Sequence, residues 1–456
     1  MSGFVTILGS KFVITHFQVN GMIVGIFFSR IIIVTSLYIG YLYYLRQFKK
    51  MKKNLKILLS AYACEPNKGS EPEVGWKWAT TLSELGHEIY VITRSNNKET
   101  IEDYLIKNKI YNLNFIYFDY PKWFLKIFKR KSNPHSYLYF LLWQVGIFFV
   151  VKPYIKKIKF DFIHHVTFVS FRYPSLLCLY KIPFIFGPIS GGDTIPMSLR
   201  KSFPLLEKIK EFIRDLSNYY VKISPLTNLI FSKSHKIYVN SEATKKIIPA
   251  RYHHKTELML AIGIDNLPNI DINLNDNTRL FNMCYVGNLL NLKGTSILLE
   301  TFNKLKKNNN NVFLTVAGLG PVEFMLRKKA KYYNIDNSIS WLGKVERYKL
   351  FELYKKSDLL IFPSLRDSGG FVVLEAMSCG LPVATLDLGG PGQIVNNDCG
   401  IKININQKTE NEIILELFNS INDLIINNDA LYFKSKKSLE RVQEFSWKKK
   451  IFKIYN

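Results

Sequence analysis

The sequence predicts an α/β protein of two doubly wound, Rossmann-like domains facing each other across a cleft. Three observations carry that expectation. The chain has 456 residues, more than one ordinary core accommodates, so two domains are expected. Short apolar runs alternate with helix-like segments in two series, the pattern of a parallel sheet covered on both faces. A polar, Asn-rich stretch, "DNLPNIDINLNDNTR" at 265–279, separates the two series and reads as a linker.

The first series, residues 54–265, opens with the apolar run "LKILLSA" (55–61). A loop rich in Gly, Pro and Glu follows, then a helix over 73–86 and a strand "HEIYVIT" at 87–93. Further strands are predicted at 114–118, 160–166, 183–187 and 236–241. The second series, residues 280–430, places strands at 281–287, 312–318, 339–343, 358–364 and 382–387. Residues 431–456 read as a C-terminal helix returning to the first domain. Ligands of such sheets sit beyond the C-terminal ends of the strands, so the loops there are the place to search.

Residues 1–50 lie outside both domains. "IIIVTSLYIGYLYYL" (31–45) is uncharged, and "RQFKKMKKNLK" follows it, a flank that would stay on the cytoplasmic side. Fifteen residues fall short of the about 20 a bilayer needs, and Arg30 stops extension. Three readings stand: a membrane anchor, a segment lying against the membrane, or an extension upstream of a natural start at Met51. A second apolar run between basic clusters, residues 126–159, reads either as a buried helix feeding the strand that ends at His165 or as a membrane-docking surface.

Composition narrows the partners. Hydrophobic residues make up 47% and charged residues 21%, which suits a globular protein. The net charge of +26 is spread along the chain as Lys, with no RNP-like, zinc-finger or basic-region motif, so nucleic acid is not an expected partner. Positive potential suits anionic lipid or phosphorylated substrates equally well. The five cysteines form no C-x-x-C pair and no zinc spacing, so free thiols in a reducing compartment are expected.

The stretch "PSLRDSGGFVVLEAMSCG" (363–380) concentrates the chemistry. A buried strand ends in a loop holding Asp367, Gly369 and Gly370, and a helix then carries Phe371 and Glu375 and stops at Gly380. Unpaired amides at a helix N-terminus favour an anion, and glycine lets it approach closely. Two carboxylates around such an end suit a ligand with hydroxyls at both ends and phosphate between them, as in a nucleotide sugar.

The same stretch resembles the signature of retaining glycosyltransferases of the two-domain GT-B fold, family 4 (glycosyl transferases group 1), which has two acids with seven residues between them, the second opening an "EAMSCGLPV"-like run. The first acid is more often Glu in that family and is Asp367 here. "YVGNLLNLKG" looks like the family's phosphate loop, with Gly287 and with Lys293 as the diphosphate-binding cation, although Asn288 stands where Arg is usual. "VAGLGP", "WLGKV", "SDLLIFPS" and "GGPGQIV" follow in family order. In the first domain, "ACEPNKGSEPEVGW" resembles the glycine loop of a family subset, which implies Gly69 and Ser70 near the donor and Glu71 toward the acceptor. "DFIHHVTFVSFRYPS" implies a cleft-facing histidine, for which His164 aligns best; His165 is assigned to the acceptor side, and strand alternation lets only one of the two face the cleft. Gly191, Gly192 and Asp193 of "FGPISGGDTIP" are assigned to the acceptor side.

The resemblance implies transfer with retention of anomeric configuration. His164, Asp367 and Glu375 would then be catalytic, with Asp367 on sugar hydroxyls and Glu375 on the ribose. It implies no metal and no cofactor, the nucleotide sugar being a substrate. The expected acceptor is a glycan or a lipid-linked glycan at the cytoplasmic face of the inner membrane, in surface polysaccharide synthesis. A nucleotide-sugar epimerase of the same fold and a non-catalytic partner in a polysaccharide assembly complex are the alternatives.

Overall fold

The computed structural model describes residues 30–39, 54–121, 123–124, 137–265, 280–309 and 311–455. Most of the N-terminal segment, the basic cluster 125–136 and the linker at 266–279 lie outside the described residues. Within 30–39 the chain is helical and exposed.

The first domain runs β1 (Lys56–Ser60), α1 (Ser70–Glu84), β2 (Glu88–Thr93), α2 (Lys98–Lys107), β3 (Leu113–Tyr117), α3 (Tyr137–Val150), α4 (Lys152–Lys157), β4 (Phe162–His165) and β5 (Phe184–Ile189). It continues through α5 (Leu205–Ile223), α6 (Pro225–Lys233), β6 (Ser234–Val239), α7 (Glu242–Ile247) and β7 (Thr256–Leu258). Its seven strands lie in the order β3-β2-β1-β4-β5-β6-β7, with every pair parallel.

The second domain runs β8 (Phe281–Val286), α8 (Thr295–Asn308), β9 (Val312–Ala317), α9 (Glu323–Tyr332), β10 (Ile339–Gly343), α10 (Arg347–Lys356) and β11 (Leu359–Phe362). It continues with α11 (Phe371–Ser378), β12 (Val383–Leu386), α12 (Gly389–Ile394), β13 (Gly400–Ile403), α13 (Glu410–Ile426) and α14 (Asn428–Val442). Its strand order is β10-β9-β8-β11-β12-β13, again all parallel. The two sheets form the GT-B architecture.

Strands covered on both faces are buried along their length and largely apolar: all six residues of β5 and all four of β11 and β12 are buried. Over the first sheet, α3 turns Phe140, Trp143 and Ile147 into the core against Leu58 and Phe184. Residues 138–157 are long and apolar enough to cross a membrane by length and composition, with mean hydropathy 1.6. Their inward face is nonetheless part of this core. All five cysteines are buried and free.

The boundary at residue 430 needs correction. It falls inside α14, which packs on α11 and β13 of the second domain. The chain crosses back only at Ser446, which bridges to Ile264. The last helix, α15 (Trp447–Tyr455), then sets Trp447 against Trp78 of α1.

Candidate functional site

In each sheet the strand order reverses once, between β1 and β4 and between β8 and β11. Loops leaving adjacent strands in opposite directions open a crevice at such a point. Both crevices face one cleft of about 570 Å³. Gly69, Ser70 and Glu71 line it from the first domain. From the second come Gly287, Lys293, Asp367, Gly369, Gly370, Phe371 and Glu375. Residues more than 300 positions apart in sequence therefore share one wall.

The backbone turns sharply to make this wall. Gly69 and Ser70 both have positive φ, 66° and 54°, so the chain folds back directly into α1, three residues before the predicted start. Glu71, in the first turn, accepts the Phe168 N–H from the loop after β4, tying the two first-domain loops together. Burial pushes the Glu71 carboxyl above its ordinary range, with the Phe168 amide pulling the other way. Gly294 (φ 69°) passes so close to the opposite loop that a Cβ there would lie 1.9 Å from the Pro363 carbonyl oxygen. That contact holds Lys293 beside the Asp367 loop.

Lys293 Nζ lies 2.6 Å from Asp367 Oδ2. The other carboxylate oxygen, Oδ1, accepts the N–H groups of Gly369 at 3.0 Å and Gly370 at 2.9 Å. Asp367 thus caps the start of α11. The two amides predicted to meet a phosphate are already engaged by this carboxylate, because a loop Asp two or three residues ahead reaches them first. Phe371 and Val372, the first two residues of α11, face the cleft beside them.

Glu375, one turn further along α11, is 6% exposed. Its Oε1 accepts from Arg347 Nε at 2.7 Å, and Arg347 Nη1 reaches Glu73 of α1 at 2.6 Å. Burial raises the Glu375 pKa, and Arg347 opposes that rise. Arg347 had no motif in the sequence to mark it. The usable signal was physical: a carboxylate on an otherwise apolar helix needs a cation, and the basic start of α10 follows the β10 loop.

Five predicted residues are placed elsewhere. His164 and His165 are both buried behind the cleft wall. His164 Nε2 sits 2.7 Å from the Gly187 carbonyl oxygen, and its ring meets Trp78 edge-on. His165 Nδ1 pairs with Ser60 Oγ at 2.9 Å and stacks on Phe186. β4 is central and covered on both faces, so alternation sends one ring under each helical layer and neither into the cleft. The catalytic role predicted for His164 therefore finds no cleft contact. Gly191 and Gly192 serve packing: the Gly191 carbonyl accepts from Arg172 and Arg214, and the Gly192 N–H donates to Thr244. Asp193 lines a separate cavity of about 200 Å³ with Ser241, Arg366 and Gln393, between the domains. Burial raises its pKa.

Asn288 lines the main cleft where the family pattern has Arg, so Lys293 and Arg347 are its cations. Among the described residues, no three His, Cys, Asp or Glu side chains gather closely enough to hold a metal ion.

Residues 269–421 match the family Glycosyl transferases group 1, a span that contains Lys293, Arg347, Asp367 and Glu375. The chain carries a group 1 glycosyltransferase domain. An uncharacterized glycosyltransferase of Methanocaldococcus jannaschii, MJ1069, is 27% identical over 252 residues, 53% of this chain. The matched region spans 62% of that relative's length. The lipopolysaccharide outer core galactosyltransferase WaaB superposes with a TM-score of 0.58 at 13% identity, over 88% of this chain and 97% of that one. The Anabaena protein HepE in complex with UDP and glucose gives 0.56 at 16% identity, over 86% and 96%. At these identities the two structures establish a shared fold. In the group 1 domain that fold brings the acidic pair and the lysine to the C-terminal ends of β8 and β11.

Proposed function

We propose that the chain is a retaining, metal-independent hexosyltransferase. It moves a sugar from a nucleotide donor to a glycan or lipid-linked acceptor, in surface polysaccharide synthesis at the cytoplasmic face of the membrane. The observation that carries this reading is the grouping of Lys293, Asp367 and Glu375 around one helix start in the cleft. WaaB, by its name a lipopolysaccharide galactosyltransferase, supports the pathway, and HepE with UDP supports the donor class.

Breaking the bond from sugar to diphosphate builds positive character on the anomeric carbon and negative charge on the leaving group. In this reading Lys293 exchanges Asp367 for the diphosphate and balances that leaving charge. Asp367 turns to sugar hydroxyls, and Glu375, fixed by Arg347, accepts from the ribose. Glu71, which lines the cleft from the first domain, serves the acceptor in this reading. Closure around the donor excludes water, which favours transfer over hydrolysis.

The test is incubation of the protein with a panel of nucleotide sugars and membrane lipid extract, with and without EDTA. The reading predicts one donor consumed, EDTA-insensitive, and an axial or equatorial product bond matching the donor. Interconversion of free donors without acceptor would favour an epimerase. No reaction and no donor binding would favour a non-catalytic assembly partner, the reading that Asn288 in place of Arg supports.

A further inference from the structure

Helix α5 is turned the opposite way from an ordinary surface helix. At about 100° per residue, Leu206, Ile209, Phe212, Leu216, Tyr219 and Ile223 share one arc of about 140°. All six are exposed; Leu206, Phe212 and Leu216 are 73%, 64% and 59% accessible. The polar arc faces the protein instead. Glu211 is buried against Arg366 at 2.7 Å, and Arg214 donates to the carbonyls of Gly191 at 2.9 Å and Asp193 at 3.1 Å. Asn218 donates to the Gly192 carbonyl at 3.4 Å.

Charge sorts the same way. All three acids of α5 are engaged on its inner or lateral side: Glu207 with Asn291, Glu211 with Arg366, and Asp215 with Arg200. The charged residues left exposed on the helix are Lys208, Lys210 and Lys222. By helical geometry Lys208 and Lys222 border one edge of the apolar arc and Lys210 the other. Apolar side chains flanked by lysines, with no exposed carboxylate, match a bilayer interface: the arc enters the acyl boundary and the lysines reach lipid phosphates. A second copy on this face would bring like charges together.

We infer that α5 docks the protein on an anionic phospholipid bilayer, lying in the plane of its interface. This deepens the membrane-acceptor reading and rests on it for what the docked cleft then meets. Arg366 precedes Asp367 directly, and Asn291 lies two residues before Lys293. The inward side of the helix therefore holds both donor loops of the cleft, and docking sets the cleft beside the lipid surface.

The experiment places a nitroxide on the full-length protein through Leu216→Cys and, separately, through Arg327→Cys on the second domain. Oxygen and nickel-chelate accessibility are read with vesicles of phosphatidylcholine containing phosphatidylglycerol, and with phosphatidylcholine alone. The inference predicts that the label at 216 becomes lipid-exposed with anionic vesicles while that at 327 stays aqueous. Lys208→Glu, Lys210→Glu and Lys222→Glu should each weaken that insertion about fivefold. A label at 216 that stays aqueous when vesicles are bound overturns the inference, whichever segment holds the protein there. So does a label shielded without vesicles in a concentration-dependent way, which would mark a contact between copies. Calorimetry of donor binding on the same samples separates the claims: its failure with insertion intact sinks the enzyme reading alone.

Discussion

The Arg347 guanidinium lies 2.7 Å from the buried Glu375 carboxylate, across the gap between the start of α10 and the second turn of α11. One further nitrogen of the same side chain holds Glu73 of the first domain. Glu375 thus depends on a cation that also joins the two domains across the cleft.

Arg347→Ala leaves that carboxylate without its cation, while burial already raises its pKa. A folded pKa above the unfolded value gives stability that is present at low pH and lost as pH rises through the folded pKa. The variant should therefore be destabilised by about 1–3 kcal/mol at neutral pH and recover toward pH 4. Adding Glu375→Gln should restore most of the loss at neutral pH. Urea unfolding across that range reads both effects.

Lys293 and Asp367 are predicted to change opposite quantities. Lys293→Ala should lower kcat/KM about 100-fold or more, through the leaving diphosphate. Asp367→Asn keeps an oxygen for the Gly369 and Gly370 amides but releases Lys293. Free nucleoside diphosphate should then bind a few-fold more tightly while sugar transfer slows. Titration of the diphosphate alongside initial rates distinguishes the two roles.

Burial lowers the pKa of His164 and of His165 to about 3. Their folded values lie below the unfolded value, so the stability of the neutral rings is complete above about pH 6.5 and is lost as pH falls toward 3. Between pH 7.5 and pH 5 the fold should lose about 2–4 kcal/mol through this pair. His165→Gln should lose less over the same interval, measured by denaturant midpoints. No limb of the rate profile between pH 5 and 8 should belong to His164.

Gly294→Ala forces a Cβ onto the Pro363 carbonyl from a left-handed backbone. It should cost about 3 kcal/mol or more and displace Lys293 with the loop. A Tm fall together with weakened diphosphate binding is the expected result.

Much of this architecture was legible because parallel strands covered on both faces leave short apolar runs, as in "ILL" (57–59) and "LLIF" (359–362). β7 and β13 escaped because edge strands of three and four residues, "TEL" and "GIKI", carry too little apolar length. The acidic pair and Lys293 were readable as a spaced motif. Arg347 was not, since its role depends on a contact over 28 positions that no local pattern marks. His164 was misplaced because alternation on a strand names two faces without saying that helices cover both. The same limit hid α5: periodicity tells which residues share an arc, and only packing tells which arc turns inward.

The most direct test of the account is isothermal calorimetry of a nucleotide-sugar panel against the wild-type protein, Lys293→Ala and Glu375→Gln. The account predicts that one donor binds the wild type and binds each variant at least about tenfold more weakly, with both variants still folded. A donor that binds all three proteins equally, or a well-folded wild type that binds none of the panel, would contradict it.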